Sequence, residues 1–152
     1  MATRNIDVSA GIDEVWAVLA DPWSYANWVV GTVKIRDADP GFPAVGCTLH
    51  HAVGAWPLLL EDETKVLECE PGQRLVMQAR GWPAGEARVE LVLHAEGDNL
   101  TRVVMSERPT QGPGAWVHNP LLDALLARRL DETLDRLRRL VEGHRRDGAP
   151  QS

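Results

Sequence analysis

The chain has 152 residues, enough for one ordinary core and too few for two separate ones. With 44% hydrophobic and 25% charged residues it has the balance of a folded chain rather than a disordered one. A net charge of −6 argues against a nucleic-acid partner, which would call for a basic face, and the least polar mid-chain stretch, Ala52 to Leu60, is far short of the roughly 20 apolar residues of a membrane span.

Ile6 and Val8 alternate with Asn5, Asp7 and Ser9, the period of a short half-buried strand. The period then changes. Ile12, Val15, Trp16 and Leu19 share one helical face, with Asp13 and Glu14 in the first turn where the helix dipole favours acids. Ser9 or Ala10-Gly11 opens that helix and Asp21-Pro22 closes it; Asp21 also caps a second short helix that runs through Tyr25 to Trp28.

From Val33 to Glu107 the pattern is one of strands and turns. Val33 to Asp37, Thr48 to Val53, Leu58 to Cys69, Arg74 to Arg80, Ala87 to Ala95 and Thr101 to Glu107 read as strands. They are separated by Asp39-Pro40-Gly41, Gly54 to Pro57, Glu70-Pro71-Gly72, Trp82 to Gly85 and Gly97-Asp98-Asn99, which predict a consecutive antiparallel sheet. The long middle strand has room for a bulge. The strand from Ala87 has the clearest parity, with Ala87, Val89, Leu91 and Leu93 on one side and Arg88, Glu90 and His94 on the other.

Asn119-Pro120 then starts a helix whose stripe is Leu122, Leu126, Leu130, Leu134, Leu137 and Val141, ending near Gly143, a length of about 36 Å at 1.5 Å per residue. Seven arginines between Arg128 and Arg146 interleave with acids, including the i, i+4 pairs Glu132–Arg136 and Asp135–Arg139. A solvated helix face accounts for them; a phosphate-binding patch is the other reading. A helix this long with one apolar face must lie across the sheet. A strongly curved seven-stranded sheet gripping the helix satisfies the order, and such packing leaves room for a cavity between them.

The run Ile6-Asp7-Val8-Ser9-Ala10, the segment Val15-Trp16-Ala17-Val18-Leu19-Ala20-Asp21, and Tyr25 and Trp28 resemble the opening of the START-like superfamily, from Thr3 to Gly143. This is the polyketide cyclase, dehydrase and lipid-transport group, with the helix-grip fold. His50-His51, Gly54-Ala55-Trp56-Pro57, Glu107 and Gly112-Pro113-Gly114 resemble an uncharacterised bacterial branch of it. The resemblance implies an α+β fold in one domain over residues 1–146, with a polar tail over 147–152, and a lipid, polyketide or similar aromatic ligand. It does not fix an activity, because the superfamily includes carriers, aromatase-cyclases, hormone receptors and chaperone co-factors.

Adjacent strand residues face opposite ways, so His50 and His51 cannot jointly chelate one metal without a bulge. Cys47, Leu49 and Val53 share the parity of His51, which places His51 inward and His50 toward solvent. His51 is either a hydrogen-bonded core residue or a polar anchor or general acid/base. Glu107 faces inward if Val103 and Met105 do, and is an ordinary surface carboxylate if Val104 and Ser106 do. Asp62 shares a parity with Leu58, Leu60 and Val66, and a bulge after Pro57 would turn it outward. Trp16 and Trp28 read as core. Trp56, Trp82 and Trp116 beside turns suit a hydrophobic entrance or plain loop packing, and the Gly112-Pro113-Gly114 loop either hinges over that entrance or simply connects.

No phosphate loop, Gly-x-Ser-x-Gly or His-Glu-x-x-His motif occurs, and Cys47 and Cys69 match no zinc spacing, so neither a metal nor a cofactor is expected. Two cysteines and a polar opening from Met1 to Asp7 point to buried thiols in a cytoplasmic protein. The expected partner is a small hydrophobic molecule, bound by His51, Trp56, Asp62, Trp82, Glu107 and Trp116. The alternative is a cofactor-independent cyclase or dehydratase in which His51 and Glu107 are catalytic; it needs both on one wall, about 3 Å from the reacting atoms. A protein-interaction module, with a filled core, is a second alternative. Monomer and homodimer stay open.

Overall fold

The computed structural model describes residues 1–55, 58–81, 85–111 and 120–148. Strand β1 (Ala2–Val8) is followed by α1 (Ile12–Leu19), a 3-10 turn (Pro22–Ser24) and α2 (Tyr25–Trp28). Six strands follow, β2 (Thr32–Ala38), β3 (Thr48–Ala55), β4 (Leu58–Glu70), β5 (Arg74–Gly81), β6 (Gly85–Gly97) and β7 (Leu100–Gln111), and then helix α3 (Pro120–Gly148). All strand pairings are antiparallel, in the order β1-β7-β6-β5-β4-β3-β2. The sheet curves around α3, so the fold is the helix-grip arrangement.

Local chemistry explains the ends of the first helices. The side chain of Asp21 accepts a hydrogen bond from the backbone N–H of Trp23 at 3.0 Å, with Pro22 next to it, where its missing N–H costs nothing. Gly11 caps α1, and a Cβ there would come within 2.9 Å of the Asp98 carbonyl in the β6–β7 turn. Gly31, at φ +99°, turns the chain from α2 into β2 in the left-handed conformation that glycine adopts freely.

The core lies between α3 and the sheet. Leu130, Leu134, Leu137 and Val141 are buried in one cluster with Val8, Leu75, Leu91 and Val103. On α1 the buried positions are Val15, Val18 and Leu19, while Trp16 is only half-buried at the core's edge. The inward arc is centred nearer Val18 than the alternation of large side chains suggests. Trp28 is fully buried.

Tertiary pairing extends several elements beyond their sequence signals. Ala2 opposes Glu107 in β1, and Gln111 opposes Glu86 in β7, so both strands outrun their apolar alternation. Helix α3 continues through Gly143, with Arg145 donating to the Ser9 carbonyl at 2.9 Å, so the segment expected as a tail from 147 begins inside the helix. Both cysteines are free and half-buried rather than buried. No helix among the described residues is long and apolar enough to cross a membrane.

Candidate functional site

A cavity of about 410 Å³ opens between the sheet and the α2–β2 connection, with Leu126 and Arg129 of α3 on its wall. Its floor can be read from strand register. Leu49, Thr64, Ala79, Ala87 and Pro109 form one row across β3 to β7, and every member lines the cavity. Three of the five are small, two alanines and a threonine, which leaves space above them.

One polar station lies on β3 and β4. His51 is 7% exposed and its Nε2 lies 3.0 Å from Thr64 Oγ1, a diagonal contact, because His51 directly opposes Asp62. Its Nδ1 is shut away from solvent and has no partner among the described residues. Burial lowers the pKa of the ring below its ordinary value; Asp62 pulls it back upward, while Arg36 and His50 push it further down. The imidazole is therefore neutral near pH 7, with one nitrogen engaged.

The other station joins β7 to α3. Val103, Met105 and Glu107 share the inward parity, and Glu107 is 7% exposed. Its Oε2 accepts from Arg129 Nη1 at 2.6 Å. Arg129 Nε also donates to the Val30 carbonyl at 3.1 Å, and the Val30 N–H donates to Thr133 Oγ1 at 3.2 Å, so α3 holds both backbone groups of Val30 in the α2–β2 connection. Burial raises the pKa of Glu107, and Arg129 opposes part of that rise.

The two stations are four strand steps apart, roughly 19 Å along the sheet at about 4.8 Å per step. Both stations line the one cavity, His51 from β3 and Glu107 from β7. Asp62 is buried on the same face as His51, and the register shift of β4 falls between Val66 and Glu68, beyond Asp62, leaving its inward parity intact. His50 is half-buried. Trp56, Trp82, Trp116 and Gly112-Pro113-Gly114 lie outside the described residues. Thr64 and Arg129 were not apparent from the sequence; their signal was weak but present. Thr64 continues the Asp62–Val66 parity, and Arg129 lies on the arc of Leu126, Thr133 and Leu137.

A curved sheet closed by one long helix over an apolar cavity defines a helix-grip, ligand-cavity class of protein. Residues 2–142 match the model of the family described as polyketide cyclase / dehydrase and lipid transport, and the chain belongs to that family. No curated protein matches it. Among solved structures, the Zhui aromatase/cyclase from Streptomyces sp. R1128 is 20% identical, with a TM-score of 0.68 over 93% of this chain and 92% of that one. DynU16, a protein from the dynemicin biosynthetic locus, is 21% identical with a TM-score of 0.66; the match covers 93% of this chain, which spans only 46% of DynU16. A protein from Nitrosomonas europaea is 15% identical with a TM-score of 0.71 over 95% of each chain. At these identities the likeness is one of fold.

Proposed function

We propose that the protein binds a small hydrophobic molecule of lipid, polyketide or aromatic type in the cavity between sheet and helix, with His51 and Glu107 as polar anchors. The observation that carries this reading is a cavity of about 410 Å³, within the range of small-molecule sites, walled by side chains such as Trp28, Met77, Val89 and Met105 and interrupted by two separate polar stations. Asp62, opposite His51 on β4 and outside the described cavity lining, would act on the ligand through its charge on His51. Native mass spectrometry of gently purified protein, followed by organic extraction, tests it. A reproducible adduct of small-molecule mass that is lost on denaturation supports the reading. Failure to bind any member of a panel of lipids, polyketides and aromatics overturns it.

A second reading, cofactor-independent cyclisation or dehydration, is favoured by one feature: His51 is a neutral imidazole on the cavity wall with an unengaged nitrogen, which, once the ring turns it toward the substrate, can take a proton from one substrate atom and return it to another. His51 would carry that step alone, with Glu107 and Arg129 orienting the far end of the substrate. If His51→Ala leaves turnover of every processed polyketide unchanged, this reading fails. The interaction-module alternative called for a filled core, and the cavity counts against it.

A further inference from the structure

Charge on the described wall of the cavity is balanced in pairs. Its charged side chains there are Arg80, Glu86, Glu107 and Arg129. Arg80 is well exposed and lies 3.9 Å from Glu86 and 3.7 Å from Glu63. The deeper pair is Glu107 with Arg129, at 2.6 Å. The aromatic polar tips on the wall are also engaged: Tyr25 Oη donates to the Leu19 carbonyl at 2.7 Å, and Trp28 Nε1 donates to Ser24 Oγ at 3.1 Å. These two residues therefore offer ring surface rather than donors.

We infer, granted the ligand-binding reading above, that the cavity selects an uncharged ligand: an apolar skeleton bearing hydroxyl or carbonyl oxygen, in preference to the carboxylate, phosphate or ammonium form of the same skeleton. A carboxylate approaching Arg129 meets Glu107, already on that guanidinium, and two like charges, one of them buried, then share one half-buried cation. An ammonium approaching Glu107 meets Arg129 in the same way. Neutral oxygens meet no such conflict, because a paired carboxylate and guanidinium retain lone pairs and N–H groups beyond their mutual bond. The His51 station agrees. If the Thr64 hydroxyl donates to Nε2, Nδ1 carries the ring proton and calls for a carbonyl; if Nε2 donates to Thr64, Nδ1 is bare and calls for a hydroxyl. Either tautomer accommodates an uncharged oxygen, and the neutral ring offers no net charge to hold a carboxylate or an ammonium.

The test uses the full chain near neutral pH, with the uncharged dye Nile red in the cavity and two competitors: a hydroxyanthracene and the anthracenecarboxylate substituted at the same carbon. The hydroxy compound should displace the dye at about tenfold lower concentration than the carboxylate. An apolar wall alone would also favour the alcohol, so the Glu107→Gln variant decides. It frees the charge of Arg129, and the carboxylate should gain about tenfold relative to the alcohol. Equal displacement in the unmodified protein, or an unchanged ratio in Glu107→Gln, overturns the charge selection while the ligand-binding reading stands. If neither Nile red nor any competitor binds, the ligand-binding reading itself falls, and this inference with it. Should Glu107→Gln fail to fold by circular dichroism, Arg129→Gln probes the same balance from the other side. There the aminomethylanthracene must gain on the alcohol, and an unchanged ratio overturns the proposal.

Discussion

Burial drives His51 and Glu107 alike toward the uncharged form, and this gives the protein opposite pH dependences at two sites. The pKa of folded His51 lies below its ordinary 6.5, so on acidification the unfolded chain binds that proton first. Stability is therefore lost as pH falls from 6.5 through the lowered value. The pKa of folded Glu107 lies above its ordinary 4.5, so there the folded chain binds the proton first, and stability is lost as pH rises from 4.5 through the raised value. Melting temperatures of His51→Gln and Glu107→Gln, each subtracted from the unmodified protein across this range, should give difference curves of opposite slope. Parallel curves would show that one of the groups is not buried as described. Thr64 gives a sharper residue-level test, because it holds the ring at Nε2. Thr64→Val leaves both buried ring nitrogens without a side-chain partner and should cost about 1–3 kcal/mol in urea unfolding, whereas Thr64→Ser keeps the hydroxyl and most of that stability.

At the scale of the element, α3 is two helices in energetic terms. Its C-terminal part presents Leu130, Leu134, Leu137 and Val141 to a packed core; its N-terminal part presents Leu126 and Arg129 to a cavity. Leu134→Ala should then cost about 2–5 kcal/mol, while Leu126→Ala, which removes atoms from the wall of an existing space, should cost clearly less by the same chemical denaturation. Equal costs would mean that the helix is uniformly packed and the cavity is not open there. The stripe itself was legible in the sequence, because a period near 3.6 survives any tertiary context, and the parity of β6 was legible for the matching reason at period two. Arg129 was not. It stands among arginines such as Arg136 and Arg139, which make the local helical pairs with Glu132 and Asp135 that their spacing predicts. Its own partner, Glu107, is 22 residues away and on another element. Asp62 was ambiguous for a related reason: its face depended on where β4 slips register, which no single residue signals. The His51–Thr64 contact was hidden in the same way, since a diagonal pair exists only once the β3–β4 register is fixed.

For the whole molecule, the contrast between neighbouring rows of the sheet determines where it is filled and where it is hollow. The row Leu75, Leu91, Met105 is large and buried; it joins the core cluster that includes Leu130, Leu134 and Leu137, and its Leu91 and Met105 edge the cavity where the filled part ends. Two rows along, Thr64, Ala79 and Ala87 are small and lie under the cavity. If that difference in side-chain volume, rather than an incidental gap, makes the cavity, then enlarging one alanine should narrow it without straining the fold. Ala87→Leu places added carbons in space that is already empty, so overpacking, which typically costs about 1–3 kcal/mol in a filled core, does not apply. The melting temperature of Ala87→Leu should stay level or rise, because the new atoms gain contacts that the void denied the surrounding wall. Nile red binding to the same variant should fall by about tenfold as the new side chain takes up space over the cavity floor. Lower stability with binding intact would place the dye elsewhere and the empty space in doubt. The predicted pairing of unchanged stability with lost binding would show that the row of small residues determines the capacity of this sheet for a ligand.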